Sequence, residues 1–288
     1  RVILLYFVYF SISINIGAFK LKKLNHLSEI YSLYDTFIID LWGVIHNGVQ
    51  LNEAAIEVVK KLTEHKKKVI FLSNAPRPSS VVKNFLKKLK MNEEYLQNIV
   101  TSGEAAMIAL NNLKFGNSFF HLGPVRDNLV YEKIQERKTS LENSDFIICT
   151  GLFDDQKEDL KFYTELLKDH KKKKMICTNP DLIVHKGEIK EYCAGSIAKT
   201  FEELGGEVIY FGKPYEEIYK ICFNDNKRVL AVGDNLKTDI KGANNMKIES
   251  VFITGGIHRS EFKSEKDLEK LLIKYKVKAN YFQNQLSW

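Results

Sequence analysis

The chain has 288 residues, 44% of them apolar, which is enough for one large or two moderate domains with a substantial core. Its formal net charge of +7 comes mainly from lysines, in runs such as 66–68 and 171–174, where a predicted helix gives way to a strand and no aromatic residues interleave; this reads as a solvated surface, and no nucleic-acid partner is expected. The four cysteines and seven histidines show neither C-x-x-C nor H-x-x-x-H spacing, which argues against a zinc site or a disulfide framework and for a reducing, cytoplasmic setting.

From Val2 to Phe19 the chain carries no charge, and Lys20, Lys22 and Lys23 follow at once. That length is at the lower limit for a membrane span, Asn15 interrupts it, and no clean A-x-A cleavage site follows. Residues 1–23 are therefore set apart as a hydrophobic extension or an anchor. If they anchor, the lysines favour a cytosolic side for everything downstream, and no other membrane contact is expected.

From Thr36 onward, short apolar runs alternate with amphipathic stretches, the signature of βαβ units. Strand 36–40 leads through a loop to a helix over 52–64, where Ala54, Ala55, Val58, Val59 and Leu62 form one stripe. Strand 69–73, a helix from about 78 to 89 and a short strand at 98–102 complete the first block. Beyond Gly103 the rhythm continues through strands at 118–122, 145–150 and 175–178 and helices at 105–113, 157–168 and 194–204, without charged residues at the strand ends. This block reads as a second α/β unit inserted within the first. Strand 207–211 reads as resuming the original theme, followed by a helix from Tyr215, strand 228–233, a helix from about Thr238 and strand 249–254. The predicted fold is thus a Rossmann-like, doubly wound parallel α/β core over 24–102 and 211–288, with an inserted α/β unit over 103–210.

Four polar signals follow apolar runs of this pattern: Asp40, the pair Ser73 and Asn74, Lys213, and Asp234 with Asp239. Parallel strands end at one common edge, so residues that follow different strands meet there however distant in sequence. Three carboxylates so placed oppose one another's ionisation unless something cationic is present. Mg²⁺ suits the case, because it takes oxygen ligands and leaves positions for water and phosphate oxygens. Lys213, between Gly212 and Pro214, supplies a fixed positive charge. With that balance Asp40 stays ionised and can attack phosphorus, while the Ser73 hydroxyl and Asn74 amide donate to phosphoryl oxygens. Singly, each signal is also an ordinary turn or cap residue.

The segments FIIDLWGVIHNG (37–48), VIFLSN (69–74), FGKP (211–214) and VGDNLKTDI (232–240), in that order, resemble the haloacid-dehalogenase-like superfamily. CTNPD (177–181) and the stretch 194–214 resemble its type IIA branch of small-molecule phosphatases, in which the insert is a cap. The resemblance implies a Mg²⁺-dependent phosphohydrolase acting on a small phosphorylated metabolite. It also implies Asp40, the backbone carbonyl of Trp42 and Asp234 as metal ligands, Asp239 as a supporting carboxylate, a specificity-determining cap, and a homodimer formed through that cap. One departure matters: phosphatases of this superfamily usually carry an acid–base Asp where this chain has Trp42. His46, in the same loop, is the candidate replacement. An aromatic residue at that position also marks the dehalogenase branch, so a dehalogenase-like hydrolase and a weakened phospholigand-binding protein stand as alternatives.

Overall fold

The computed structural model describes residues 21–111, 115–156, 159–187, 189–223 and 228–288. The uncharged stretch 2–19 lies outside them. Among the described residues the strands are, in chain order, β1 (Lys22–Lys23), β2 (Thr36–Ile39), β3 (Lys68–Ser73), β4 (Ile99–Thr101), β5 (Phe119–Leu122), β6 (Phe146–Cys149), β7 (Lys174–Cys177), β8 (Ile183–Lys186), β9 (Ile189–Tyr192), β10 (Glu207–Tyr210), β11 (Val229–Gly233), β12 (Glu249–Ile253) and β13 (Tyr281–Gln283).

Seven of them form one parallel sheet in the order β1-β13-β12-β11-β2-β3-β4. Helices cover both faces of such a sheet, which is why its central strands are continuous apolar runs rather than alternating ones. In β2 all four residues are buried, and so are all five of β11. Phe37, Ile39, Phe71, Val232 and Val251 pack on one face with Ala55, Val58, Val59 and Leu62 of helix α1 (Glu53–Glu64) and with Val82 and Leu86 of helix α2 (Ser79–Lys88). Ile38, Ile70 and Leu72 pack on the other with Ile218, Tyr219 and Cys222. Each buried Val, Leu, Ile and Phe among them contributes about 1.5–3 kcal/mol of transfer free energy. Helix α1 begins one residue later than its apolar stripe predicts and stops where Lys66 turns to φ +57°.

The remaining strands lie in the inserted segment. β10, β7, β6 and β5 make a second parallel sheet, and β8 and β9 an antiparallel hairpin. Its core gathers Leu122, Ile147, Cys149 and Met175 against Tyr163, Leu167, Ile197 and Phe201 from the helices Leu160–Leu167 and Ala194–Glu203.

Two expectations need correction. Strand β10 does not resume the first sheet: Glu207 to Tyr210 pair with Lys174 to Cys177 in the second. Parallel strands buried on both faces read alike in sequence, so an apolar run does not disclose its sheet. Lys22 and Lys23, assigned to the hydrophobic N-terminal segment, instead form the edge strand beside Tyr281 and Phe282. Two lysines on an exposed edge discourage further pairing and carry no apolar signal. Among the described residues no helix is long and apolar enough to cross a membrane.

The first sheet reverses its strand order between β2 and β11. The chain steps outward from β2 to β3 and β4 on one side and from β11 to β12 and β13 on the other. Ligand crevices in open α/β sheets lie beyond the carboxyl ends of the strands at such a point. Asp40 and Asp234 follow those two strands.

Candidate active site

Asp40 is tied to β11 by its amide, which donates to the Val232 carbonyl at 2.9 Å. The next residues curl into a tight loop, with the Gly43 amide donating to the His46 carbonyl at 2.8 Å and the Ile45 and His46 amides donating to the Leu41 carbonyl. Gly43 takes φ +91°, and a Cβ there would stand 2.2 Å from Oδ2 of Asp234. A Cβ on Gly256 would meet the same oxygen at 2.1 Å. Two glycines therefore open the cradle in which the Asp234 carboxylate lies, and the Ile257 amide donates to its Oδ2 at 2.8 Å.

Asp239 reaches back from the helical turn Leu236–Ile240. Its Oδ2 accepts from the Asn235 amide at 3.0 Å and its Oδ1 from Lys213 at 2.6 Å. Lys213 is 3% exposed and spends all three donors, on Asp40 Oδ1 at 2.5 Å, Asp239 Oδ1 at 2.6 Å and the Leu72 carbonyl at 2.9 Å. It follows β10 of the second sheet, so the inserted unit hands this side chain to the first. Ser73 closes β3 with its hydroxyl oxygen accepting from the Ala75 amide at 3.2 Å, which leaves its proton free to donate.

Ligand oxygens of Asp40, Asp234 and Asp239 lie within 4.8 Å of one another, all three residues buried. Burial pushes the Asp40 carboxyl well above its ordinary value; Lys213 opposes this, and Asp239 and Asp234 reinforce it. Asp234 is pushed up to about 8, first by burial and then by Asp239. Burial alone would lower Lys213, but Asp239 and Asp40 outweigh it and hold the ammonium charged. Three carboxylates thus face one ammonium. The shortage of positive charge that raises Asp40 and Asp234, an all-oxygen donor set and the glycine-lined cradle fit a divalent cation of the Mg²⁺ kind.

The structure brings Asp40, Ser73, Lys213, Asp234 and Asp239 together. It gives Asn74 and His46 other work. Asn74 grips the Lys213 backbone, accepting from its amide at 2.7 Å and donating to its carbonyl at 3.1 Å, so its amide orients the lysine before it can serve a phosphate. His46 is buried, with Nδ1 accepting from the Gly48 amide at 3.0 Å and its ring edge-on to Trp42 and Phe85. Burial lowers its pKa to about 4, so it is neutral near pH 7 and has no ready proton to hand to a leaving group. The Trp42 indole donates to the His185 carbonyl in hairpin β8–β9 at 2.8 Å, and the Gly187 amide of that hairpin donates to the Asn47 carbonyl at 3.1 Å. The loop after Asp40 is therefore fastened to the inserted unit.

Sequence reasoning missed three features. Asp181, four residues past β7, lines the same cavity and accepts from the Asn235 side chain at 3.2 Å. Loss of solvent pushes it up to about 6 against the pull of Lys213. The expectation that no charged residue follows a strand of the insert fails here, because a Thr-Asn-Pro turn separates this acid from its strand. Arg77, just past Ser73, pairs at 2.5 Å with the buried Asp127 of the inserted unit. His258 accepts from the Leu236 amide at 3.1 Å and is held by Glu261 at 2.6 Å, which pins the loop carrying Asp234. The cavity between the two sheets holds about 680 Å³ and has Asp40, Ser73, Lys213 and Asp234 in its floor and Thr150, Asp181, Ile183, His185 and Tyr192 in its walls.

Comparison with known proteins agrees with this geometry. The family model described as haloacid dehalogenase-like hydrolase matches residues 37–135, and one described as HAD-hydrolase-like matches 210–282. The chain is 24% identical over 247 residues to the 5'-nucleotidase YutF of Bacillus subtilis, covering 82% of this chain and 93% of that one. It is 25% identical over 243 residues to an acid sugar phosphatase of Staphylococcus haemolyticus, covering 81% and 90%. Among solved structures, a haloacid dehalogenase-like hydrolase from Brucella suis superposes with a TM-score of 0.80 at 26% identity, over 91% of this chain and 98% of that one. A p-nitrophenyl phosphatase from Archaeoglobus fulgidus shares the fold, with a TM-score of 0.66 at 24% identity over 88% and 96%.

Proposed function

We propose that this chain, which belongs to the haloacid-dehalogenase-like hydrolase superfamily, hydrolyses phosphomonoesters of small metabolites through a phosphoryl group carried on Asp40. The observation that carries the reading is the convergence of the Asp40, Asp234 and Asp239 carboxylates and the Lys213 ammonium at the floor of one cavity. Relatives named as a 5'-nucleotidase and an acid sugar phosphatase support the same reaction class.

Asp40 and Asp234, with the Trp42 carbonyl, would hold Mg²⁺, and Asp239 would support it. When bound, the ion offsets the carboxylate charge and that of the phosphoryl oxygens. Lys213 opposes the protonation that burial favours at Asp40 and orients it for attack, and the Ser73 hydroxyl donates to a phosphoryl oxygen. Positioning and fixed charge supply most of phosphoryl-transfer catalysis. The inserted unit acts as a cap over 103–210, and its walls contact the non-phosphate part of the substrate. The four cysteines are free and buried thiols, in keeping with a cytoplasmic enzyme.

Purified protein should release p-nitrophenolate from p-nitrophenyl phosphate with added Mg²⁺, and lose that activity in EDTA and in Asp40→Asn. Turnover that survives both changes refutes the mechanism. Halide release from a 2-haloacid without added metal would favour the dehalogenase alternative that Trp42 raises.

A further inference from the structure

The phosphatase reading, on which this inference rests, leaves the leaving-group oxygen without an evident proton donor. Position 42 is tryptophan, and its indole N–H is committed to the His185 carbonyl at 2.8 Å. His46 is buried with Nδ1 already accepting from Gly48. An alkoxide leaving without a proton is slow, and a positioned acid is worth roughly 10²–10⁴ in rate.

Where such a donor must stand follows from the site. Displacement at phosphorus runs in line, so the leaving oxygen departs on the side opposite Asp40. Asp40, Ser73 and Asp234 come from the first sheet, and the rest of the cavity lining includes residues of the inserted unit. Three carboxyl groups from that unit line the cavity: Asp127, Asp181 and Glu191. Asp127 is locked to Arg77, and Glu191 lies on the exposed outer strand of the hairpin. Asp181 is placed differently. Its Oδ1 accepts from Asn235, beside Asp234, at 3.2 Å, and Asn74 and Thr238 line the same cavity. Asn74 in turn holds Lys213 against Asp40. One side chain of the inserted unit thus meets the segment that follows β11, in the cavity that Ser73 and Asn74 after β3 also line.

We propose that Asp181 is the general acid–base residue of ester cleavage, delivered by the inserted unit in place of a side chain at position 42. In the first half-reaction an Asp40 oxygen bonds to phosphorus as the bond from phosphorus to the ester oxygen breaks. That oxygen takes the Asp181 carboxyl proton and leaves as the alcohol. In the second half-reaction the Asp181 carboxylate accepts a proton from water, whose oxygen attacks the phosphorus carried by Asp40. Inorganic phosphate leaves, and both side chains return to their starting states. Catalysis then requires the inserted unit to be seated on the core, since the acid travels with it.

The test compares two leaving groups in wild type and Asp181→Asn, both with Mg²⁺. p-Nitrophenolate needs no proton to leave, whereas the alkoxide of glycerol 2-phosphate does. Asp181→Asn should lower kcat/KM for glycerol 2-phosphate by roughly 10²–10⁴ and that for p-nitrophenyl phosphate by less than about tenfold. With p-nitrophenyl phosphate the variant should also show a burst of nitrophenolate stoichiometric with enzyme, because dephosphorylation of Asp40 has lost its base. Asp181→Ser must behave in the same way, and retained kcat/KM on the aryl ester certifies its fold. Equal losses on both esters without a burst, no loss on either, or a wild type with no activity on glycerol 2-phosphate overturns the assignment of Asp181. A wild type inert to p-nitrophenyl phosphate overturns the phosphatase reading itself, and this assignment with it.

Discussion

Replacing Lys213 with methionine isolates the charge on which the site depends. The methionine stem nearly fills the lysine's volume, so what disappears is the ammonium with its contacts to Asp40 at 2.5 Å, Asp239 at 2.6 Å and the Leu72 carbonyl at 2.9 Å. Removing one partner from a buried ion pair costs about 3–5 kcal/mol, because the other charge stays behind without compensation. For a chain of this size that corresponds to a fall in Tm of roughly 6–20 °C. The pH dependence has a definite sign. Without the ammonium the buried carboxyls bind protons more tightly in the folded state than in the unfolded state, so the deficit is largest above neutrality and shrinks as pH falls and they are neutralised. Thermal denaturation of wild type and Lys213→Met in EDTA, at pH 8 and at pH 5.5, reads both effects. A variant whose Tm at pH 8 lies within about 2 °C of wild type would refute the claim that Lys213 compensates the cluster.

Two further outcomes follow from the same geometry. Gly43→Ala should weaken Mg²⁺ binding at least about tenfold by calorimetry, since the new Cβ would stand 2.2 Å from Asp234 Oδ2 at φ +91°, and a titration that overlays wild type would show the cradle to be irrelevant. Asp234 is raised to about 8 in the metal-free protein, so a cation must displace a proton below that pH. Mg²⁺ affinity should therefore fall by about tenfold per unit as pH drops from 8 to 6, and a flat profile would remove Asp234 from the ligand set.

The first sheet was legible because its central strands are continuous apolar runs, and the polar residues that follow them announce a shared edge. Asp40, Ser73 and Asp234 could be read from that pattern alone. Lys213 could be read as part of the site, but not the route by which it arrives, since β10 looks no different from a strand of the first sheet. Asp181 escaped because a Thr-Asn-Pro turn carries it away from β7, and only the stacking of the two units brings it to Asn235. Asn74 and His46 line the cavity, but their hydrogen bonds were not foreseeable. An amide that could serve a phosphate can equally hold a backbone, and burial, which keeps His46 neutral, is a tertiary property.

The strand order has a bearing on how the molecule is made. β2 is bordered by β3, its close successor, and by β11, whose residues follow it by nearly two hundred positions. During synthesis the apolar run Thr36–Ile39 is exposed along one edge until Val229–Gly233 has left the ribosome, and at about 5–20 residues per second that interval lasts on the order of ten seconds or more. For that time the nascent chain displays an unpaired hydrophobic strand, the feature most prone to wrong partners. A chaperone that holds this segment would be needed most until Val229–Gly233 has been made.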